Sequence, residues 1–140
     1  MATNYVRFRF RSSVDWGLLG EEGRIAPLRA GDLSTRAFLD FLRRKKRPAP
    51  RFTTTVREVA ILSPISAPAQ IICQGANYRQ HMIESGLNPD QKRYNMFFFL
   101  FDAYLSPPID NFICPSHVRL LDYELELALV FGRSIYPPIE

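Results

Sequence analysis

From Val6 to Arg11 apolar and basic residues alternate, Val6, Phe8 and Phe10 against Arg7, Arg9 and Arg11. A period of two is the signature of a strand buried on one face. Ser12-Ser13-Val14-Asp15 predicts a turn, Trp16-Gly17-Leu18-Leu19 a second short strand, Gly20-Glu21-Glu22-Gly23 another turn, and Arg24-Ile25-Ala26-Pro27-Leu28 a third strand. A small antiparallel meander is the simplest assembly of these pieces.

The period then changes. Between Thr35 and Arg44, Phe38, Leu39, Phe41 and Leu42 recur at helical spacing, Ser34 or Thr35 can act as N-cap, and Pro48-Ala49-Pro50 ends the run. Val56–Leu62 reads as a further strand. Pro64 and Pro68 bracket a rigid connector, and Gln70–Gly75 reads as a short apolar strand. The boundary this predicts separates a small N-terminal unit, residues 1–62, from a main body, residues 63–140. No internal repeat is visible.

Two later stretches carry chemistry. Asn77 is placed to cap a helix, Gln80 stands three residues on as in a capping box, and Gly86 is placed to end it. A helix this short, with glycine on either side, is the kind of element that moves as a lid. His81 and Glu84 are three apart and share one of its faces. A carboxylate beside an imidazole orients it and raises its basicity, which is what activating a water requires. A surface pair is the competing reading. Leu121–Gly132 alternates again. Tyr123, Leu125, Leu127, Leu129 and Phe131 take one face; Asp122, Glu124, Glu126, Ala128 and Val130 take the other. Strand spacing sets the Glu124 and Glu126 carboxylates side by side, where like charges repel unless solvated or bridged by a cation. Oxygen donors suit Mg²⁺, Mn²⁺ or Ca²⁺. A strand with a wet face is the competing reading here.

Composition narrows the classes. Apolar residues make up 46% and charged residues 23% of 140, which excludes a disordered or low-complexity chain. Cys73 and Cys114 are too few for a disulfide scaffold; both lie in apolar stretches and are expected to be buried, reduced thiols. The most apolar stretch, Met96–Leu105, is interrupted by Asp102 and falls short of the roughly 20 residues of a spanning helix. Met1–Phe10 lacks the pattern of a secretory signal. The expectation is a cytoplasmic protein without a membrane partner. The net charge is +4, and without the run Arg43-Arg44-Lys45-Lys46-Arg47 it would be −1. The basicity belongs to one helix end, where cations oppose the macrodipole, and not to a basic face, which argues against a nucleic-acid partner.

The order Ser63-Pro64-Ile65, Pro68, Ile71-Ile72-Cys73, Gly75, Asn77-Tyr78, His81, Glu84, Ile113-Cys114-Pro115 and then Leu121–Gly132 resembles the fumarylacetoacetate hydrolase family. The meander with Trp16-Gly17 is similar to the family's accessory domain. The resemblance implies a mixed α+β, mainly β fold, in which the N-terminal meander and helix are followed by the start of a fumarylacetoacetate hydrolase-type β-fold. It implies a divalent metal held by Glu124, Glu126 and a later aspartate, which chelates a 2-oxo acid or 1,3-diketone. It makes His81 and Glu84 the dyad that activates water, and Asn77, Tyr78 and Arg79 substrate-binding candidates. The activity it implies is metal-dependent hydrolysis of a C–C bond in an acylpyruvate or related dioxo acid, within aromatic-compound catabolism. Decarboxylation, isomerisation or hydration of 2-oxo acids, and a non-catalytic truncated paralogue, are the alternatives. The family's homodimer is expected for a full-length protein.

The chain also departs from the family pattern. Leu100 stands where the family has a lysine, with Lys92 and Arg93 several residues upstream, and Pro107-Pro108 stands for Gly-Pro. The aspartate ligand is expected some tens of residues after Glu126, whereas the chain stops at Glu140. The expectation is an N-terminal part of a longer protein, inactive by itself.

Overall fold

The computed structural model describes residues 3–44, 49–106, 108, 111–119, 121 and 123–133. Lys45, Lys46, Arg47, Pro48, Pro107, Asp122 and Tyr136–Pro138, on which expectations above bear, lie outside the described residues.

Strands β1 (Asn4–Phe10) and β2 (Ser13–Leu19) pair antiparallel over their whole length, from Asn4 opposite Leu19 to Phe10 opposite Ser13. The turn between them is only Arg11-Ser12, shorter than the four residues predicted. A two-residue hairpin loop needs a left-handed residue, which Arg11 supplies at φ 55°. That frees Ser13 and Val14 to join the ladder. After a 3₁₀ turn, Glu21–Gly23, β3 (Arg24–Pro27) adds to β2. The meander is therefore as expected.

Two short strands extend it on either side. β4 (Thr54–Thr55) pairs with β3, and β5 (Ala60–Leu62) pairs with β1, giving the order β4-β3-β2-β1-β5. The strand predicted over Val56–Leu62 is thus correct only at its end. Glu58 explains why. Its Oε2 accepts from Thr55 N at 2.8 Å, Thr54 Oγ1 at 3.0 Å and Thr55 Oγ1 at 3.1 Å. Such local bonds hold the backbone in a turn at the expense of a ladder. The hydroxyls of Thr54 and Thr55, then the Thr55 N–H, hold the Glu58 carboxyl below its ordinary pKa.

Helix α1 (Thr35–Arg44) starts where predicted. Of the two cap candidates Ser34 is the one used: its Oγ accepts from Ala37 N at 3.3 Å, while Thr35 Oγ1 donates to Pro64 O at 2.8 Å. Arg43 and Arg44 occupy the last turn. Phe38 stacks on Trp16 with centroids 3.9 Å apart and meets Tyr5 edge-on at 5.5 Å. Trp16 Nε1 donates to Leu33 O at 2.9 Å, so the buried indole is fully satisfied. The cross-strand pair Arg7–Trp16 puts Arg7 on this helix-covered face as well. Arg7 is accordingly half-buried and pairs with Asp32 at 2.6 Å. On the other face Val6, Phe8 and Ile25 form the core, with Leu19, Val59 and Ile61 against it. Gly17 sits within it: a Cβ there would lie 2.5 Å from Ile25 Cγ2.

The chain divides into two compact units, Met1–Pro64 with Ser106–Glu140, and Ile65–Leu105. In the second, β6 (Ile71–Gly75) and β7 (Met96–Leu100) form a two-stranded antiparallel sheet from Ile71 opposite Leu100 to Gly75 opposite Met96. Between them lie α2 (Arg79–Glu84) and a 3₁₀ turn, Pro89–Gln91. Met82 is the buried apolar residue of this unit among the described residues.

Two further expectations fail. Residues 121 and 123–133 form no strand, and every described residue from 121 to 131 is exposed. An alternating pattern becomes a strand only when another strand accepts its backbone hydrogen bonds, and the first unit pairs its strands without it. The second failure is Cys114. Both thiols are free, but Cys73 is only half-buried and Cys114 is exposed, because the apolar stretch around it is not packed. The chain is mixed and mainly β, and no helix among the described residues is long and apolar enough to cross a membrane.

Candidate functional site

The residues singled out around the short helix do lie together, on α2 and the turn before it. The helix begins later than the capping-box reading predicts. Its N-cap is Tyr78, with no side-chain cap bond, and Asn77 precedes it. The reason is Ala76, held at φ 50° between β6 and the helix. Its carbonyl oxygen accepts from Lys92 Nζ at 2.9 Å. Lys92 lies 16 residues along the chain, yet the loop after α2 brings its ammonium to the turn that leads into the helix.

Arg79 opens α2 and is the best-defined ionic group of the site. Its Nη1 and Nη2 donate to the two Asp90 oxygens at 2.8 and 3.2 Å, a fork-to-fork pair. Hydrogen bonding, then Coulomb attraction, raises the Arg79 pKa and holds the Asp90 carboxyl below its ordinary value. Both side chains are exposed, so the pair orients the loop more than it stabilises the fold. Asp90 is placed in turn by Asn88, whose Oδ1 accepts from Asp90 N at 3.0 Å. The sequence reading missed Asp90. Its signal was Asn88-Pro89-Asp90, a capped 3₁₀ turn within reach of α2.

His81 and Glu84 are both exposed, on the same short helix. Glu84 Oε1 accepts from Gln80 Nε2 at 3.0 Å, so Gln80 ties Glu84 and is not a capping residue. An open hollow of about 520 Å³ is lined by Asp90, Gln91, Lys92 and Arg93; its lining includes neither His81 nor Glu84. Leu100 ends β7 opposite Ile71 and supplies no charge there.

Glu124 and Glu126 belong to the other unit, in the exposed stretch without regular structure. Their chemistry suits a hard divalent cation. Among the described residues, however, no group of three His, Cys, Asp or Glu side chains is placed to hold a metal. The described residues therefore do not make a complete metal site.

Residues 70–137 match the fumarylacetoacetate (FAA) hydrolase C-terminal family. Through this segment the chain belongs to the fumarylacetoacetate hydrolase family. Among curated proteins, it is 34% identical over 76 residues to a mitochondrial oxaloacetate tautomerase of Bos taurus, which covers 54% of this chain and 24% of that protein. It is 39% identical over 87 residues to the oxaloacetate tautomerase YisK of Bacillus subtilis, covering 59% and 28%. A human mitochondrial oxaloacetate tautomerase is 32% identical over 77 residues, covering 55% and 24%. The chain thus spans about a quarter of the length of these family members. No solved structure matches it. The family segment contains every candidate of this site, from Asn77 to Glu126.

Proposed function

We propose that this chain carries, on α2, residues of a site that tautomerises a small dicarboxylic 2-oxo acid of the oxaloacetate type. The observation that carries this reading is the match of residues 70–137, with Asn77–Glu84 inside it, to relatives named oxaloacetate tautomerases. Isomerisation within the family therefore takes precedence over C–C hydrolysis as the leading activity.

The chemistry is a balanced proton shift. Going from enol to keto form, the C2 hydroxyl loses one proton and C3 gains one; no C–C bond breaks and no water is consumed. A group that can both take and give a proton is required, and on α2 that is the His81 imidazole. Glu84, one turn on, is its positioning residue, with Gln80 holding the carboxylate. Arg79, whose fork Asp90 fills in this structure, would take a substrate carboxylate in place of Asp90, and Asn77 and Tyr78 precede it in the chain. The Glu124–Glu126 pair is kept as part of a Mg²⁺, Mn²⁺ or Ca²⁺ site whose remaining donors lie outside the described residues. In the cell we place the chain in a soluble compartment, cytoplasm or mitochondrial matrix, as the bacterial and mitochondrial relatives suggest.

The test is a chimera. Residues 70–133 replace the matching segment of YisK, and decay of enol oxaloacetate is followed by ultraviolet absorbance, with acylpyruvate cleavage measured in parallel. Tautomerisation is expected to persist and to fall by about 10²–10⁴ in the His81→Gln chimera. A folded chimera that cleaves acylpyruvate but leaves the enol untouched would return the assignment to hydrolysis. One that keeps full tautomerase activity without His81 would remove the imidazole from the reaction.

A further inference from the structure

The loop after α2 is short of negative charge. From Ser85 to Asn95 it carries one acidic residue, Asp90, and two cations, Lys92 and Arg93. Both Asp90 oxygens are already taken by the Arg79 guanidinium, at 2.8 and 3.2 Å. Lys92 donates to the neutral carbonyl of Ala76, and Arg93 is exposed with no ion pair among the described residues. The hollow of about 520 Å³ lined by Asp90, Gln91, Lys92 and Arg93 therefore presents two positive charges without a matching anion. That volume falls within the range of about 300–1,000 Å³ usual for small-molecule sites. Asp90 is common to the hollow and to the Arg79 pair, so the two adjoin through its carboxylate.

We propose that Asp90 stands in the place of a ligand carboxylate, and that a small dicarboxylate displaces it, with one carboxylate on Arg79 and the other in the hollow against Arg93 and Lys92. This deepens the tautomerase reading and rests on its assignment of Arg79 to a substrate carboxylate. The fork-to-fork pairing of guanidinium and carboxylate is the geometry that an incoming carboxylate reproduces. The Arg79 and Asp90 side chains are 64% and 71% exposed, so solutes reach both, and an exposed ion pair is held only weakly. Asn88 Oδ1 accepts from Asp90 N at 3.0 Å and fixes the Pro89–Gln91 turn that carries Asp90. This tether makes Asp90 an intramolecular competitor with a high effective concentration. A monocarboxylate offers Arg79 nothing that Asp90 does not already supply. A dicarboxylate adds a second charge for the two unmatched cations, and that difference selects it. The empty site is thus closed by its own chain, and a dianion opens it.

The experiment measures binding of malonate, an unreactive dicarboxylate, to the whole chain through the side-chain NMR signals of Arg79 and Asp90. Acetate gives the comparison with a single carboxylate. Malonate should move both signals saturably and bind about fivefold tighter than acetate, or better. Asp90→Asn should tighten malonate about fivefold, which is the reach of an exposed ion pair. Asn88→Ala, which only loosens the Asp90 turn, should act in the same direction by less. Arg93→Gln should remove most of malonate's advantage over acetate, and Arg79→Gln should abolish the response. Unchanged amide signals across β6 and β7 show that the unit remains folded in each variant. The proposal is overturned if malonate leaves both signals in place, if Asp90→Asn binds it no more tightly, or if malonate keeps its full advantage in Arg93→Gln. A response that survives Arg79→Gln would be general screening of surface charge and would overturn it too. Malonate binding is read without turnover, so an inactive chimera leaves the exchange standing. A chimera that tautomerises while malonate leaves Arg79 untouched removes the exchange alone.

Discussion

Replacing Phe38 with alanine should detach α1 from the sheet. Phe38 is 3% exposed, and it is the buried residue of α1 among those described. Its ring lies flat on Trp16 at 3.9 Å and 8°, meets Tyr5 edge-on, and lies 6.2 Å from Phe41. Truncating a buried Phe to Ala costs about 3–5 kcal/mol, and the aromatic contacts put this site toward the upper end. With a urea slope of about 1–2 kcal/mol per molar, a loss of 3 kcal/mol lowers the midpoint by about 1.5–3 M. Domains are stable by about 5–15 kcal/mol, so the variant stands near the edge of folding. Phe38→Leu, which keeps most of the volume, gives the graded comparison and should lose about 1–1.5 kcal/mol. The assay is built in, because Trp16 is the chain's single tryptophan and is buried under the Phe38 ring. Its emission should shift red in Phe38→Ala before any denaturant is added. A midpoint within about 0.3 M of the parent, with emission still blue, would show that α1 is not held by this ring and refute the packing argument.

Asp15 organises the loop that leads to α1: Oδ1 accepts from the N–H groups of Trp16, Ala30 and Gly31 at 2.9, 2.7 and 3.0 Å, and Oδ2 from Arg29 N at 2.9 Å. Asp15→Ala should cost about 2 kcal/mol and speed amide exchange at residues 29–31, while Asp15→Asn, which keeps one acceptor oxygen, should lose about half as much by the same denaturation assay. The Arg79–Asp90 pair fixes a pH response. The Asp90 carboxyl titrates lower in the folded chain than in the unfolded one, so its contribution is present above the unfolded pKa and fades as pH falls through the folded one. Carbon-detected titration should show Asp90 protonating below the ordinary aspartate range, and Arg79→Gln should move it back up; an unshifted Asp90 in both proteins would mean that the ion pair does not form in solution.

What could be read from the sequence divides by the range of the interactions involved. The β1–β2–β3 meander and α1 were legible because alternation, a cap and a change of period are local signals, and each element finds its partner nearby. The turn at 56–59 was not. Its apolar residues Val56 and Val59 mimic a strand, and only the three bonds accepted by Glu58 decide against it. The same limit applies at the site. The α2 residues were legible from their spacing, but Asp90 and Lys92 act on Arg79 and Ala76 across 11 and 16 residues, and no periodicity encodes such contacts. Cys114 failed for a related reason: an apolar neighbourhood in sequence is a buried one only where something packs on it.

The two sets of candidate residues therefore stand on different physical footings. The α2 set closes on itself. Arg79 with Asp90, Lys92 with Ala76 and Gln74 with Asn95, the last at 3.1 Å, tie the loop and helix to the β6–β7 hairpin within residues 65–105. The carboxylate pair has no such local closure. Glu124 and Glu126 gain a fixed spacing only when the backbone on either side of them is held as a strand, and a strand is held by a neighbour. Which neighbour it is decides what the carboxylates become. A metal site on these carboxylates requires a neighbour that presents a third oxygen donor on the glutamate face.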